Sequence, residues 1–171
     1  MVITCSDSRV DPSMIFDTAP GEMFIVRNVA NLVPPYAPDA AYHGTSAALE
    51  FAVRALQVQD IVVLGHAQCG GVKALLEGTP STVSDFVGQW MQIAEPARVR
   101  VMACPDLHDR QLACEHEVVR LSIENLKTFW WVREATEAGT LRLHGCYFGI
   151  RSGVLEVLGE DGKFAPVPDV A

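Results

Sequence analysis

The sequence predicts an α/β domain with a mostly parallel β-sheet flanked by helices. Short apolar segments of strand type alternate along the chain with longer segments of helical periodicity, and this alternation is typical of strand–helix–strand units. The chain has 171 residues, of which 49% are hydrophobic, so it can bury one sizeable core. We therefore expect a single domain over residues 1–171.

The first two strands lie close to the start of the chain. MVITC (1–5) and MFIVR (23–27) are short, apolar and rich in β-branched residues, which favours strands. Between them, DPSMIF (11–16) has the pattern of a short helical turn. Prolines and a glycine predict a loop over NLVPPYAPDAAYHG (31–44).

A helix–strand–helix unit follows this loop. GTSAALEFAVRALQ (44–57) carries an apolar stripe at helical spacing, with Thr45 or Ser46 as its predicted N-cap. DIVVLGH (60–66) is a compact buried strand, and GGVKALLEG (70–78) is a helix that ends at its last glycine.

The second half of the chain is mainly helical before it returns to strands. We predict helix over residues 82–103, interrupted near Pro96, and one long helix over 111–138 that is stopped by the glycine after it. Two strands, over 141–148 and 153–158, flank an Arg-Ser-Gly turn and complete the sheet.

The composition argues against several classes of partner. The formal net charge is −8 at pH 7, whereas nucleic acids and anionic membranes are bound through basic surfaces. Five scattered cysteines make a poor disulfide framework, and no apolar run approaches the roughly 20 residues that span a membrane. We expect a soluble, cytoplasmic protein that binds neither nucleic acid nor a membrane, with its cysteines buried or bound to metal.

Two motifs with reactive side chains occur at the ends of predicted strands. CSDSR (5–9) comes at the end of the first strand, and HAQCGG (66–71) begins at the end of DIVVLGH. Side chains two residues apart on an extended backbone point the same way, so Cys5, Asp7 and Arg9 can converge on one side. Ligands of parallel sheets bind beyond the carboxyl ends of the strands, so we expect both motifs to line one site.

Cys5, His66 and Cys69 together offer the donor types of a zinc site. Two thiolates and one imidazole leave a fourth tetrahedral position for water or a carboxylate, and such an open position is typical of catalytic zinc. Asp7 can fill that position itself. Alternatively it pairs with Arg9, whose guanidinium matches a carboxylate in bidentate geometry, and the position keeps water.

Five segments together resemble the β-class carbonic anhydrases of the plant-like branch. They are CSDSR, RNVANLVPPY (27–36), GTSAALEFAV (44–53), LGHAQCGGVKAL (64–75) and CEHEVVRLSIENLKTFWWVREATEAGTLRLHG (114–145). The resemblance implies zinc-dependent, reversible hydration of carbon dioxide to bicarbonate and a proton by zinc-bound hydroxide. It also implies that Cys5, His66 and Cys69 are the zinc ligands. Asp7 and Arg9 then form a catalytic dyad, in which Asp7 accepts a hydrogen bond that orients the attacking oxygen.

The resemblance further implies an apolar substrate pocket and a subunit partner. Positions matching Phe24, Val29 and Phe51 line this pocket in the family, with Phe51 supplied by the neighbouring subunit, and the backbone N–H of Gly70 contacts a substrate oxygen. An apolar pocket suits carbon dioxide, which is uncharged and a weak hydrogen-bonding partner. We therefore expect a homodimer or larger homo-oligomer with active sites near the subunit interface.

The sequence departs from the family pattern in three ways. The plant-like branch has an N-terminal helical arm and a substrate-contacting glutamine before the first strand, whereas this sequence begins four residues before Cys5. Phe51 stands where that branch has a tyrosine. Arg27 matches one of three residues that hold an inhibitory anion in the bicarbonate-regulated branch. Val2 and Phe148 occupy the other two positions, so we expect no such regulatory site.

Several other glutamate, cysteine and tryptophan side chains are interpreted as structural. We interpret Glu115 and Glu117 as a solvated helical face, and Cys146, inside an apolar strand, as a core residue. Trp130 and Trp131 are expected to pack at a core or subunit contact.

Two other functions are compatible with the same ligands. Relatives on this scaffold hydrolyse carbon disulfide or carbonyl sulfide, and a non-catalytic, zinc-stabilised assembly module would need the three ligands alone. The presence of both Asp7 and Arg9 favours catalysis, because a structural zinc site requires neither. Two thiolates also offset the charge of zinc, so we predict a less acidic bound water than in a three-histidine site and activity that rises towards alkaline pH.

Overall fold

Six strands form one sheet in a computed structural model that describes residues 1–83 and 85–167. The strands are β1 (Val2–Cys5), β2 (Ile25–Asn28), β3 (Asp60–His66), β4 (Arg142–Gly149), β5 (Val154–Leu158) and β6 (Phe164–Pro166). The first five overlap the segments predicted from their apolar, β-branched sequences, and β3 has the predicted bounds. The short strand β6 was not predicted.

The order of the strands brings the two motifs together. Across the sheet the order is β2-β1-β3-β4-β5-β6, with β2, β1, β3 and β4 parallel and the last two pairings antiparallel. The prediction of a mostly parallel sheet is confirmed. Because Thr4 of β1 lies opposite Leu64 of β3, Cys5 and His66 end neighbouring strands at the same edge.

Helices connect the strands of the described ranges. They are α1 (Pro12–Ile15), α2 (Gly44–Glu50), α3 (Gly70–Glu77), α4 (Val87–Met91), α5 (Glu95–Met102), α6 (Arg110–Leu126) and α7 (Trp130–Glu137). The predicted turn α1 begins at Asp11, whose carboxylate accepts hydrogen bonds from the first-turn N–H groups. The helix α3 ends as predicted at Gly78, whose φ of +99° favours glycine. None of these helices is long and apolar enough to cross a membrane.

The helix α2 differs from its predicted form at both ends. Its N-cap is His43, and Thr45 and Ser46 lie inside the first turn, so the predicted cap is wrong. The Thr45 hydroxyl instead accepts a hydrogen bond of 3.3 Å from the Asn28 side-chain amide, which connects the helix to β2. At its other end the helix widens into a π-helical turn over Phe51–Ala55.

The long helix predicted over residues 111–138 is divided into α6 and α7. The division occurs at Phe129, which has extended backbone angles (φ −73°, ψ 114°). Its ring is buried, with its centroid 5.4 Å from that of Tyr36 and 5.2 Å from that of Trp131. Trp131 thus packs in the core, as expected, whereas Trp130 is partly exposed.

The helical segment predicted over residues 82–103 is interrupted before Pro96. A 3₁₀ turn over Gln92–Ala94 separates α4 from α5, and Pro96 lies in the first turn of α5. A proline is favourable there because the first N–H groups of a helix have no intrahelical acceptor. The interruption near Pro96 is therefore confirmed, and the proline starts the second helix.

Alternating side chains of the central strands divide the core between the two faces of the sheet. Val2 and Leu64 belong to one apolar cluster, and Ile3 and Val63 belong to the other. The first cluster also contains four buried thiols, those of Cys5, Cys69, Cys114 and Cys146. The interpretation of Cys146 as a core residue is confirmed, and burial raises the pKa of its thiol to about 11.

Candidate metal centre

Three side chains with metal-binding atoms meet at the carboxyl edge of the sheet. Cys5 ends β1, His66 ends β3, and Cys69 lies in the turn before α3. Their ligand atoms, two sulfurs and one imidazole nitrogen, all lie within 4.8 Å of one another, and all three residues are buried. The structure thus brings together the three residues that the two motifs supply as predicted metal-binding side chains.

The surroundings of His66 fit a metal ion. Its Nδ1 lies 2.9 Å from the carbonyl oxygen of Ala67, a position suited to N–H donation. Its Nε2 is buried and makes no hydrogen bond of standard geometry within the described residues. A buried polar atom without a partner is costly. An imidazole that donates from one nitrogen typically presents the other to a metal.

The two cysteines also fit a shared ion. Their sulfurs are 4.0 Å apart, whereas two thiolates of a tetrahedral zinc site, each about 2.3 Å from the metal, are about 3.8 Å apart. The interaction between the thiols lowers the pKa of Cys5 and raises that of Cys69. A cation between the two sulfurs would stabilise both in the thiolate form.

Asp7 is paired with Arg9 beside these ligands. Nε and Nη2 of Arg9 donate to the two carboxylate oxygens over 2.9 and 2.6 Å, and the Arg9 backbone N–H adds a bond of 2.9 Å. These hydrogen bonds hold the pKa of the Asp7 carboxyl far below its usual range. Nη2 also donates to the carbonyl of Gln68 over 3.1 Å. Arg9 therefore connects the loop after β1 to the turn before α3.

A second arginine shapes the loop that carries Cys5 and Asp7. Arg27 of β2 donates to the carbonyl oxygens of Cys5 (3.0 Å), Asp7 (2.6 Å) and Val10 (2.8 Å). Its guanidinium also lies 3.7 Å from the Asp11 carboxylate. The residue that matches one part of an anion site in the regulated branch is thus engaged with the backbone of the loop.

Glu115 lies directly behind Cys69, and its interpretation as part of a solvated face is wrong. Its side chain is buried, with a relative exposure of 3%. The carboxylate accepts hydrogen bonds from the Cys69 backbone N–H (2.9 Å), the Gln111 side-chain amide (2.6 Å) and the Tyr147 hydroxyl (2.8 Å). Sequence reasoning missed all three members of this network, Gln111, Glu115 and Tyr147.

Glu115 shares a helical stripe with buried residues of α6. It lies four residues before Val119 and seven before Ser122, both of which are buried, so it shares their stripe of α6. Glu117 points elsewhere, is partly exposed and pairs with Arg120 over 2.6 Å. Glu117 has the same four-residue spacing from the buried Leu121, so helical spacing alone does not separate the two glutamates.

Comparisons with known proteins identify the family of the chain. A family model described as carbonic anhydrase matches residues 1–155. The chain is 39% identical to beta carbonic anhydrase 3 of Arabidopsis thaliana, over 97% of this chain and 66% of that protein. It is 41% identical to the mitochondrial beta carbonic anhydrase 6 of the same plant, over 91% of this chain and 55% of that protein.

The chain belongs to the β-class carbonic anhydrase family. The resemblance inferred from the motifs, including the plant-like branch, is confirmed. Among solved structures, the β-carbonic anhydrase CcaA matches with a TM-score of 0.90 at 32% identity, covering 97% of this chain and 82% of that one. A structure from a study of two tetrameric β-carbonic anhydrases of Sordaria macrospora matches with a TM-score of 0.79 at 31% identity, covering 92% and 79%. The chain spans 66% and 55% of the length of the two Arabidopsis relatives.

The residues expected in the β-carbonic anhydrase pocket lie around β2 and the start of α3. The rings of Phe24 and Phe51 are 6.0 Å apart within the chain, and Phe51 is half-exposed. A Cβ built on Gly71 would lie 2.8 Å from a methyl carbon of Val29, whereas one built on Gly70 would have no described atom within 4 Å. The supply of Phe51 by a neighbouring subunit stays a prediction.

Proposed function

We propose that this chain catalyses the reversible hydration of carbon dioxide to bicarbonate and a proton, with Zn²⁺ as its cofactor. The observation that carries the proposal is the group of Cys5, His66 and Cys69 within 4.8 Å, with the Asp7–Arg9 ion pair beside it. A structural zinc site needs three or four ligands but no such pair. Membership of the β-class carbonic anhydrase family supports the same activity.

Cys5, His66 and Cys69 would hold the zinc ion through their two sulfurs and the buried Nε2 of the imidazole. When bound, zinc supplies a Lewis acid that makes water nucleophilic near neutral pH. The backbone carbonyl of Ala67 would keep the His66 ring in one tautomer, because it lies at hydrogen-bond distance from Nδ1.

Asp7 would accept a hydrogen bond from the reacting water and orient it towards the carbon of the substrate. Its pair with Arg9 supports this role, because it keeps the carboxylate ionised and therefore an acceptor. Each carboxylate oxygen has two lone pairs, so the pair with Arg9 leaves acceptor capacity for water. Arg9, which pairs with Asp7, also donates to the Gln68 carbonyl. This second bond fixes the position of Asp7 relative to the turn that carries Cys69.

Phe24, Val29 and Phe51 would form the apolar wall against which carbon dioxide binds. The N–H of Gly70 would contact a substrate oxygen, since the first N–H groups of a helix have no intrahelical acceptor. The open surroundings of Gly70 support such access.

We also propose a homodimer or larger homo-oligomer in the cytoplasm. The aromatic side chains of Tyr42 and Phe51 are exposed in the single chain, and a second subunit would cover such apolar surface. The related proteins from Sordaria macrospora are described as tetrameric. Five free cysteines suit a reducing compartment, and a mitochondrial location is the alternative, because one relative is named as mitochondrial.

Stopped-flow measurement of carbon dioxide hydration tests the proposed function, with zinc content determined on the same samples from about pH 6.5 to about pH 9. We expect activity that rises with pH. The variant Asp7→Asn keeps the shape of the side chain and removes its charge, so it should lose about 100-fold or more of the activity. Asp106→Asn is the matched control, because Asp106 is an exposed carboxylate outside the site.

The outcomes separate the candidate functions. Zinc-bound protein without carbon dioxide hydration would contradict the proposal, and hydrolysis of carbonyl sulfide or carbon disulfide by that protein would favour the sulfur-containing substrates. Inactivity towards all of them would favour the non-catalytic zinc module. An Asp7→Asn variant as active as Asp106→Asn would contradict the role of Asp7 alone.

A further inference from the structure

Side chains of α6 hold both backbone polar groups of Cys69. The Cys69 N–H donates to Oε1 of Glu115 over 2.9 Å, and the Cys69 carbonyl accepts from the Gln111 amide over 3.1 Å. The same Gln111 nitrogen donates to Oε1 of Glu115 over 2.6 Å. Gln111 and Glu115 are four residues apart and so lie on one face of the helix. This face of α6 therefore holds the Cys69 backbone through both its N–H and its carbonyl group.

The turn that carries Cys69 needs an external support. Gln68, the residue before Cys69, has φ +56°, a left-handed conformation that is unfavourable for a residue other than glycine. Such conformations persist where the surrounding structure fixes them. The hydrogen bond from the next N–H to Glu115 is one such constraint, and the bond from Arg9 to the Gln68 carbonyl is another.

Glu115 is itself held firmly. Its second oxygen accepts a hydrogen bond of 2.8 Å from the buried hydroxyl of Tyr147 on β4. Burial and the bond to Glu115 both raise the pKa of Tyr147, so its hydroxyl stays a neutral donor. The helix also lies close to β3, because a Cβ built on Gly65 would be 2.6 Å from Cγ2 of Val119. The carboxylate thus has a fixed position between the sheet and the turn.

We propose that Glu115 is a positioning residue of the metal centre, which holds the Cys69 backbone so that its sulfur stays beside Cys5 and His66. This inference rests on the proposed zinc function. Glu115 acts through the Cys69 N–H and touches neither substrate nor metal. Its loss leaves a buried N–H without an acceptor and frees the turn to move, which separates the ligand atoms.

Metal affinity tests this role without reference to catalysis. Glu115→Leu removes the acceptor at similar size, and Glu115→Gln keeps an oxygen that can accept from the Cys69 N–H. We would measure Co²⁺ affinity in competition with a chelator, and the thiolate-to-cobalt absorption of the bound ion. Glu115→Leu should weaken binding by about 10- to 100-fold and alter the absorption, whereas Glu115→Gln should stay within about threefold of the parent.

A stability control separates positioning from a general loss of fold. Leu126 is buried on the same helix but in the other apolar cluster, so Leu126→Ala should melt at a lower temperature and bind Co²⁺ like the parent chain. If Glu115→Leu binds Co²⁺ with the parent's affinity and absorption, the inference is overturned. If Glu115→Leu does not fold, Gln111→Leu and Tyr147→Phe replace it as the test, because each removes one hydrogen bond to Glu115. Unchanged Co²⁺ affinity in both variants overturns the inference.

The parent chain separates this inference from the function on which it rests. A parent chain that binds no Co²⁺ refutes the proposed metal centre and the role of Glu115 with it. A parent chain that binds Co²⁺ through its thiolates, together with an unchanged Glu115→Leu variant, refutes the positioning role alone.

Discussion

Two adjacent glycines at the start of α3 should respond differently to the same substitution. A Cβ built on Gly71 would lie 2.8 Å from Cγ1 of Val29 and 3.0 Å from the Cβ of Ala30. Carbon atoms in contact are about 3.5–4.0 Å apart, so Gly71→Ala has to separate the two segments by about 0.5–1.2 Å. A Cβ built on Gly70 would meet no described atom within 4 Å.

The magnitude follows from how little the neighbours of Gly71 can move. Ala30 is fully buried and has φ +64°, so its backbone is already constrained. Overpacking of this kind costs about 1–3 kcal/mol, and alanine recovers up to about 1 kcal/mol relative to glycine in a helix. We therefore expect Gly71→Ala to lower the free energy of unfolding by about 1–2 kcal/mol, and Gly70→Ala to leave it unchanged or raise it by up to about 1 kcal/mol.

Thermal melting at one fixed zinc concentration measures the difference, since bound metal itself shifts the melting temperature. For a chain of this size, Gly71→Ala should melt about 2–8 °C below the parent and Gly70→Ala at or slightly above it. A Gly71→Ala variant as stable as the parent would show that α3 does not approach Val29 as closely as described. Equal destabilisation by both substitutions would trace the effect to the backbone of the turn.

Two further predictions concern the loop after β1 and the packing of α6. Arg27→Met removes three hydrogen bonds to loop carbonyls; it should lower the free energy of unfolding in urea by about 1–3 kcal/mol, and an unchanged value would contradict a holding role. Burial lowers the pKa of His116 to about 4, so on acidification the unfolded chain binds a proton there first. Between about pH 6.5 and 4 the free energy of unfolding should therefore fall by up to about 3 kcal/mol more in the parent than in His116→Phe. Urea unfolding at each pH measures this, and pH profiles that run parallel in the two proteins would refute it.

The first five strands were predictable because their signals are local. DIVVLGH is a short, β-branched, apolar run between polar residues, and it forms β3 with the predicted bounds. The division between α6 and α7 was not predictable in the same way, because the helical pattern continues through it. There the contacts of the Phe129 ring with Tyr36 and Trp131 decide the backbone conformation, and Tyr36 is distant in the sequence.

The candidate site was likewise predictable only in part. Cys5, His66 and Cys69 could be grouped from the sequence because each occurs at or just after the end of an apolar strand, and parallel strands end together. The role of Glu115 could not be inferred in this way, because its partners Cys69 and Tyr147 come from other elements. A glutamate is usually solvated, and only the packing of α6 against the sheet shows that Glu115 is buried.

These hydrogen bonds hold different backbone groups of Cys5 and Cys69. Arg27, a cation on β2, holds the carbonyl of Cys5, and Glu115, an acceptor on α6, holds the N–H of Cys69. Arg9 joins the two ligand-bearing segments through its bonds to Asp7 and to the turn before Cys69. Residues outside the group of Cys5, His66 and Cys69 therefore hold the backbone of the two segments that carry the sulfurs. It follows that substitutions of Arg27 or Glu115 that remove these hydrogen bonds should change metal affinity even where Cys5, His66 and Cys69 are intact.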